Sequence, residues 1–197
     1  LFVSHNADAI RSTCSRAIWL DSGTLRADGA AESVVQQYIM HGWAAEEGRL
    51  KAASDVRWGT GEVKITQVQL LNKDGQETQL FETQEPMTIV LHYEAKERIA
   101  NPVFGLAIHR SDGTHVTGPN TQFAGIDVDS IENRGIVKYS LSTIPLLQGV
   151  YYLSVAVRNL QDTLMYDYHD RLYGFQILSD QERYGLVSLG GTWELCS

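Results

Sequence analysis

The stretch Gly149-Val150-Tyr151-Tyr152-Leu153-Ser154-Val155-Ala156-Val157-Arg158 decides the fold. Tyr151, Leu153, Val155 and Val157 fall on one side of an extended chain, and Tyr152, Ser154, Ala156 and Arg158 on the other. That period of two predicts a strand with one face in a core. The pattern recurs outward in both directions. Candidate strands run over 63–71, 78–82, 87–95, 103–110, 135–142, 164–168, 173–178 and 186–195. Turn signals separate them: Asn72-Lys73-Asp74-Gly75, Ser111-Asp112-Gly113, Gln148-Gly149 and Asn159-Leu160-Gln161-Asp162. Short strands at such spacing, without long helical periodicity, predict a mainly β protein, an antiparallel immunoglobulin-like β-sandwich over 61–197. One connection, Thr114 to Arg134, is long and irregular, as functional loops often are.

Upstream the character changes. Asn6 is a good N-cap for a short helix from Ala7 to about Ser15. Phe2-Val3-Ser4 reads as the end of a buried strand and Ala17 to Leu20 as a second. Asp21-Ser22-Gly23 is a turn, Thr24 to Ala27 a return strand and Asp28-Gly29 another turn. Ala31, Val34, Val35, Tyr38 and Ile39 recur at helical spacing up to Gly42. This α/β piece, residues 1–41, is too short to bury a core alone and predicts the remnant of a larger domain. The start lacks an initiator Met and any signal-peptide pattern, so the chain reads as cut from something longer. Residues 42–60 are polar, bracketed by glycines and weakly periodic, which predicts a linker.

Composition narrows the function. The 197 residues carry 24 acidic against 16 basic side chains, a formal net charge of -8. No Lys/Arg run offers a nucleic-acid phosphate backbone a basic face, so no nucleic-acid partner is expected. No apolar stretch approaches the ~20 residues of a membrane helix. Cys14 and Cys196 form no zinc or redox spacing, so two reduced thiols and no metal site are expected. Asp127-Val128-Asp129 offers fewer ligands than Ca²⁺ requires. Asp167-Tyr168-His169-Asp170 reads as a polar strand exit, not a catalytic cluster. Trp193 is expected to anchor a core or an interface. No nucleophile elbow and no assignable carboxylate pair argue for glycoside hydrolysis, so no catalytic residue is expected.

Two resemblances follow from ordered motifs. Val3-Ser4-His5-Asn6, Ile10, Cys14, Ile18-Trp19-Leu20-Asp21-Ser22-Gly23, Gly29, Val34 and Tyr38 resemble the C-terminal end of an ABC-transporter nucleotide-binding domain. By that resemblance His5 is the switch histidine that reaches the γ-phosphate of ATP. The chain contains no G-x-x-x-x-G-K-[ST] phosphate cradle, so ATP hydrolysis is not expected of it. Further on, Gly61-Glu62-Val63-Lys64-Ile65, then Asp112-Gly113 with Val116-Thr117-Gly118-Pro119-Asn120-Thr121, then Gln148 to Val155 are similar to three elements of one family. That family is the ATP-binding subunit of bacterial O-antigen polysaccharide exporters, the Wzt family; Thr117 replaces its usual aromatic. The resemblance implies cytosolic recognition of a lipid-linked glycan before export, with the protein peripheral at the inner membrane. For the full-length protein it implies a permease partner, ATP and Mg²⁺, and a dimer.

Read on their own, the residues suit either an ordinary solvated sheet face, where small side chains are common, or a sugar site. Phe104, Leu106 and Ile108 point one way from their strand; Gly105, Ala107 and His109 point the other. Beside Tyr152, Ser154, Ala156 and Arg158 they make a shallow trough of small side chains. Tyr152 is placed to stack on a sugar ring, and His109, Ser154, Arg158, Asn120 and Thr121 to bind hydroxyls. Thr88, Val90, His92 and Glu94 add a further outward row, with Trp58 and the 118–121 loop next in line. The competing reading is a structural or dimerisation domain that couples ATPase subunits without touching sugar. The terminal apolar segment, Tyr184 to Leu195, is expected to form a strand that completes a neighbouring subunit's sheet in a homodimer.

Overall fold

The structure is a computed structural model that describes residues 1–4, 7–38, 41, 56–178, 185–189, 191 and 193–195. The chain divides into two compact units, Leu1–Ala52 and Ala53–Ser197.

In the first unit α1 (Ala7–Thr13) leads into a hairpin of β1 (Arg16–Asp21) and β2 (Thr24–Ala30), followed by a helix over 31–38. Ala31, Val34 and Val35 are buried, and Trp19 meets Tyr38 edge-on at 5.8 Å. The order is the expected one, with two differences. Residues 2–4 form no strand. Asp28 and Gly29 stay in β2 instead of turning: the ladder with β1 continues through Ile18–Asp28, Ala17–Gly29 and Arg16–Ala30, and Arg16 pairs with Asp28 at 2.8 Å on its surface. His5 and Ile39 lie outside the described residues.

The second unit is an antiparallel sandwich with one parallel pair. Its strands are β3 (Arg57–Trp58), β4 (Val63–Leu71), β5 (Leu80–Glu82), β6 (Met87–Ala100), β7 (Pro102–Arg110), β8 (His115–Thr117), β9 (Ser130–Leu141), β10 (Gly149–Asn159) and β11 (Met165–Leu178). One sheet runs β3-β11-β10-β7-β8, with β5 parallel to β11 at its other end; the second runs β4-β6-β9. Their inner faces meet in one core. Val63, Ile65, Ile89, Phe104, Ile108, Tyr151, Leu153, Val155, Val157, Phe175 and Ile177 all lie in it. The Tyr151 hydroxyl donates to Leu147 O at 2.7 Å, so this ring is buried with its polar end satisfied.

Several expectations change. The segments 164–168 and 173–178 are one strand, β11. The polar run between them is no exit: Asp167 and His169 are buried and bonded, and the chain bulges at Arg171 (φ 48°) instead of turning. The long connection shrinks, since β8 and β9 claim both its ends. Residues 56–60, expected in the linker, belong with the sandwich, because Arg57 and Trp58 pair with β11. Among the described residues, the expected terminal strand appears as a bridge from Val187 to Leu146. Leu147 N donates to Leu186 O and Ser188 N to Pro145 O, and beyond them Leu189, Trp193 and Leu195 are exposed. Trp193 is thus no core anchor. Among the described residues no helix is long and apolar enough to cross a membrane.

Candidate functional site

The outward face of the β3-β11-β10-β7-β8 sheet carries the candidate site. Cross-strand register sets its rows, because residues paired in an antiparallel ladder project to the same side. One row reads Trp58, Tyr168, Ala156, Gly105, Asn120, each paired with the next. At the usual strand spacing that row spans about 19 Å. Its middle has almost no side chain, and its ends carry an aromatic pair and an amide. Trp58 and Tyr168 lie 5.3 Å apart, tilted by 35°, and Trp58 is 53% exposed. A neighbouring row pairs Ser154 with Ala107, and a third reads Gly174, Tyr152, His109, His115. The floor is small, and larger groups stand around it.

Five polar groups give the face its chemistry. The Arg171 guanidinium grips Asp170 at 2.8 Å, and the Tyr168 hydroxyl donates to the same carboxylate at 3.4 Å. Arg171 holds Asp170 below the usual carboxylate range, with burial opposing it. At neutral pH this is an ionised acceptor beside a planar donor. His109 and His115 face each other at 5.0 Å. Burial first, then the charges of His115 and Arg171, hold the His109 imidazole below its ordinary pKa. Its Nδ1 is buried and without a hydrogen-bond partner among the described residues. Gly118 lets the His115 ring close in: a Cβ there would sit 3.3 Å from His115 Nε2.

The expected residues divide. His109 and Tyr152 stand side by side on the face, and Asn120 closes its first row. Ser154 points outward but is buried; its hydroxyl accepts from Arg171 N at 2.7 Å and donates to Asp170 at 3.3 Å. It supports the Asp170–Arg171 bulge and is not available to a ligand. Arg158 is a brace between two loops: it donates to Asn159 O, Leu160 O and Gln122 Oε1 and pairs with Asp162. Thr121 Oγ1 accepts from Phe104 N at 3.2 Å, and Asn120 Oδ1 from Phe123 N at 2.8 Å, so both hold the 118–126 loop in place. Thr88, Val90, His92 and Glu94 belong to the other sheet and cannot share this face. Sequence reasoning missed Tyr168, Asp170 and Arg171. Period two through 165–171, with Tyr168 and Asp170 on one side, was the available signal, and the run of charge masked it. Among the described residues no group of three or more His, Cys, Asp or Glu is placed to hold a metal ion.

Comparison with known proteins agrees with this architecture. Residues 54–189 match the family model described as the Wzt C-terminal domain. A solved structure, the C-terminal domain of wzt, superposes with a TM-score of 0.65 at 19% identity, covering 71% of this chain and 87% of that one. Its fold is shared. The O-antigen export system ATP-binding protein RfbB of Myxococcus xanthus is 21% identical over 173 residues, 80% of this chain. The match spans 40% of that relative's length.

Proposed function

The chain belongs to the Wzt C-terminal domain family, and on that premise we propose that its sandwich is a non-catalytic glycan-binding module. Its ligand is the O-antigen polysaccharide, read on the cytoplasmic side before export. The observation that carries this reading is the row from Trp58 to Asn120: an aromatic pair, then a floor of Ala156 and Gly105, then an amide. A pyranose has an apolar C–H face and a hydroxyl rim. Trp58, Tyr168 and Tyr152 suit the face; Asp170, Arg171, His109 and Asn120 suit the rim.

The likeness to an O-antigen export ATP-binding protein supports the setting. In the full-length protein an ATPase domain with ATP and Mg²⁺ precedes the sandwich, a permease is its partner, and the assembly is peripheral at the inner membrane. The apolar side chains of Leu189, Trp193 and Leu195, exposed after Ser188, support a homodimer in which this segment docks on the neighbouring subunit.

The test is a calorimetric titration with the O-polysaccharide purified from the strain that carries the gene, beside an unrelated one. Saturable binding of the first alone is expected. Absence of binding to either leaves the purely structural, dimerising role as the surviving account.

A further inference from the structure

Residues 56–61, just ahead of β4, are strapped along the edge of β11. Thr60 N donates to Met165 O at 3.1 Å and Gly61 N to Tyr166 O at 2.8 Å. Gly59, at φ 147°, lies so close that a Cβ there would be 2.3 Å from Tyr166 O, so no side chain fits. Thr60 Oγ1 also donates to Met165 O at 3.4 Å, and a charged side chain pins the strap more firmly. Arg57 reaches Asp167 with both arms of its fork, at 3.0 and 2.8 Å, and donates to Ile65 O at 3.2 Å. The buried Asp167 carboxylate also takes Ile65 N at 2.7 Å and His169 Nε2 at 3.2 Å. Beyond it, His169 Nδ1 meets the Tyr173 hydroxyl at 2.7 Å. A buried acid with this many partners is a fixed point. The residue after Arg57 is Trp58, set against Tyr168 at the end of the trough.

We infer that Arg57 is a positioning residue for glycan recognition: by locking the strap to Asp167 it sets Trp58 against Tyr168 as the stacking platform, so that docking of the strap and occupancy of the trough are linked. The inference rests on the glycan-binding reading and adds to it which residues form the platform and what holds it. Linkage is reciprocal. Whatever factor the docked strap contributes to glycan affinity, bound glycan returns to strap docking.

The experiment uses the full chain, the same O-polysaccharide, and Trp58→Ala, Arg57→Gln and Arg57→Lys, alone and with both positions changed. Trp58→Ala and Arg57→Gln are each expected to weaken binding roughly three- to tenfold, the range of one aromatic contact. Arg57→Lys, which keeps the charge and loses the fork, is expected to fall between. The deciding arm is the double variant: Arg57→Gln should cost nothing further once Trp58 is alanine. Hydrogen exchange across 56–61 should slow when polysaccharide is added to the unmodified chain, an arm that needs no variant to fold. An undiminished effect of Arg57→Gln in the Trp58→Ala background overturns the positioning role. So does unchanged affinity in both single variants, or unchanged exchange at 56–61, while the glycan-binding reading stands. No binding by the unmodified chain overturns that reading and this inference together.

Discussion

Tyr152 and His109 stand side by side across β10 and β7 on the outward face, and each tests the trough. Tyr152→Ala and His109→Ala should weaken glycan binding while stability changes by about 1 kcal/mol or less, since neither belongs to the core; calorimetry and a thermal melt check this together. Gly105 makes a different test. A Cβ there would meet Asn120 Cβ at 3.5 Å and Pro119 O at 3.9 Å, both ordinary contacts. Gly105→Val is therefore accommodated by the backbone and suits a strand, yet it raises the trough floor. Affinity should fall by about 1–3 kcal/mol, the usual cost of an overpacked contact, with the melting temperature unchanged or higher. Asp167 answers to pH. Burial pushes its carboxyl up, but bonds from His169, Arg57 and Ile65 N outweigh burial and hold it below the usual range. A lowered folded pKa gives stability that is present above the unfolded value, near 4, and lost as pH falls through the folded one. Asp167→Asn should cost about 1–3 kcal/mol at neutral pH and flatten the acid limb of a denaturation series. An unchanged acid limb would assign that slope to other carboxylates.

β11 takes β10 on one side and both β3 and β5 on the other, so its bulge at Asp170–Arg171 sits where three strands depend on it. The terminal segment holds to its own sandwich through Leu186, Val187 and Ser188. A chain ending at Ser188 should keep the fold and its melting temperature within a few degrees but run as a monomer, whereas the full chain should run as a dimer; light scattering checks both. A monomeric full chain refutes the dimer, and a dimer that survives truncation puts its interface elsewhere.

For the whole molecule, the absence of a phosphate cradle from the sequence fixes one expectation. The purified chain should turn over no ATP in a coupled assay at high protein concentration. His5, the switch histidine by resemblance, has no lysine-bearing loop in this chain to work with. Measurable turnover that survives repurification would overturn this.

Alternation determined much of this protein. It marked most of the sandwich strands, put Tyr151, Leu153, Val155 and Val157 in the core and set Gly105, Ala107 and His109 on the other side. These are local consequences of a two-residue period, and neighbouring residues suffice to read them. The tertiary structure decided what depends on partners far away in sequence. Asp167 and His169 look like a surface turn until Arg57, 110 residues earlier, arrives to pair with Asp167. Ser154 and Arg158 look like ligands until Arg171, Asp170, Gln122 and Asp162 occupy their polar atoms. Trp58 looks like linker until β11 offers an open edge. A period tells a residue which side it faces; only the packed sheet tells it what it meets there.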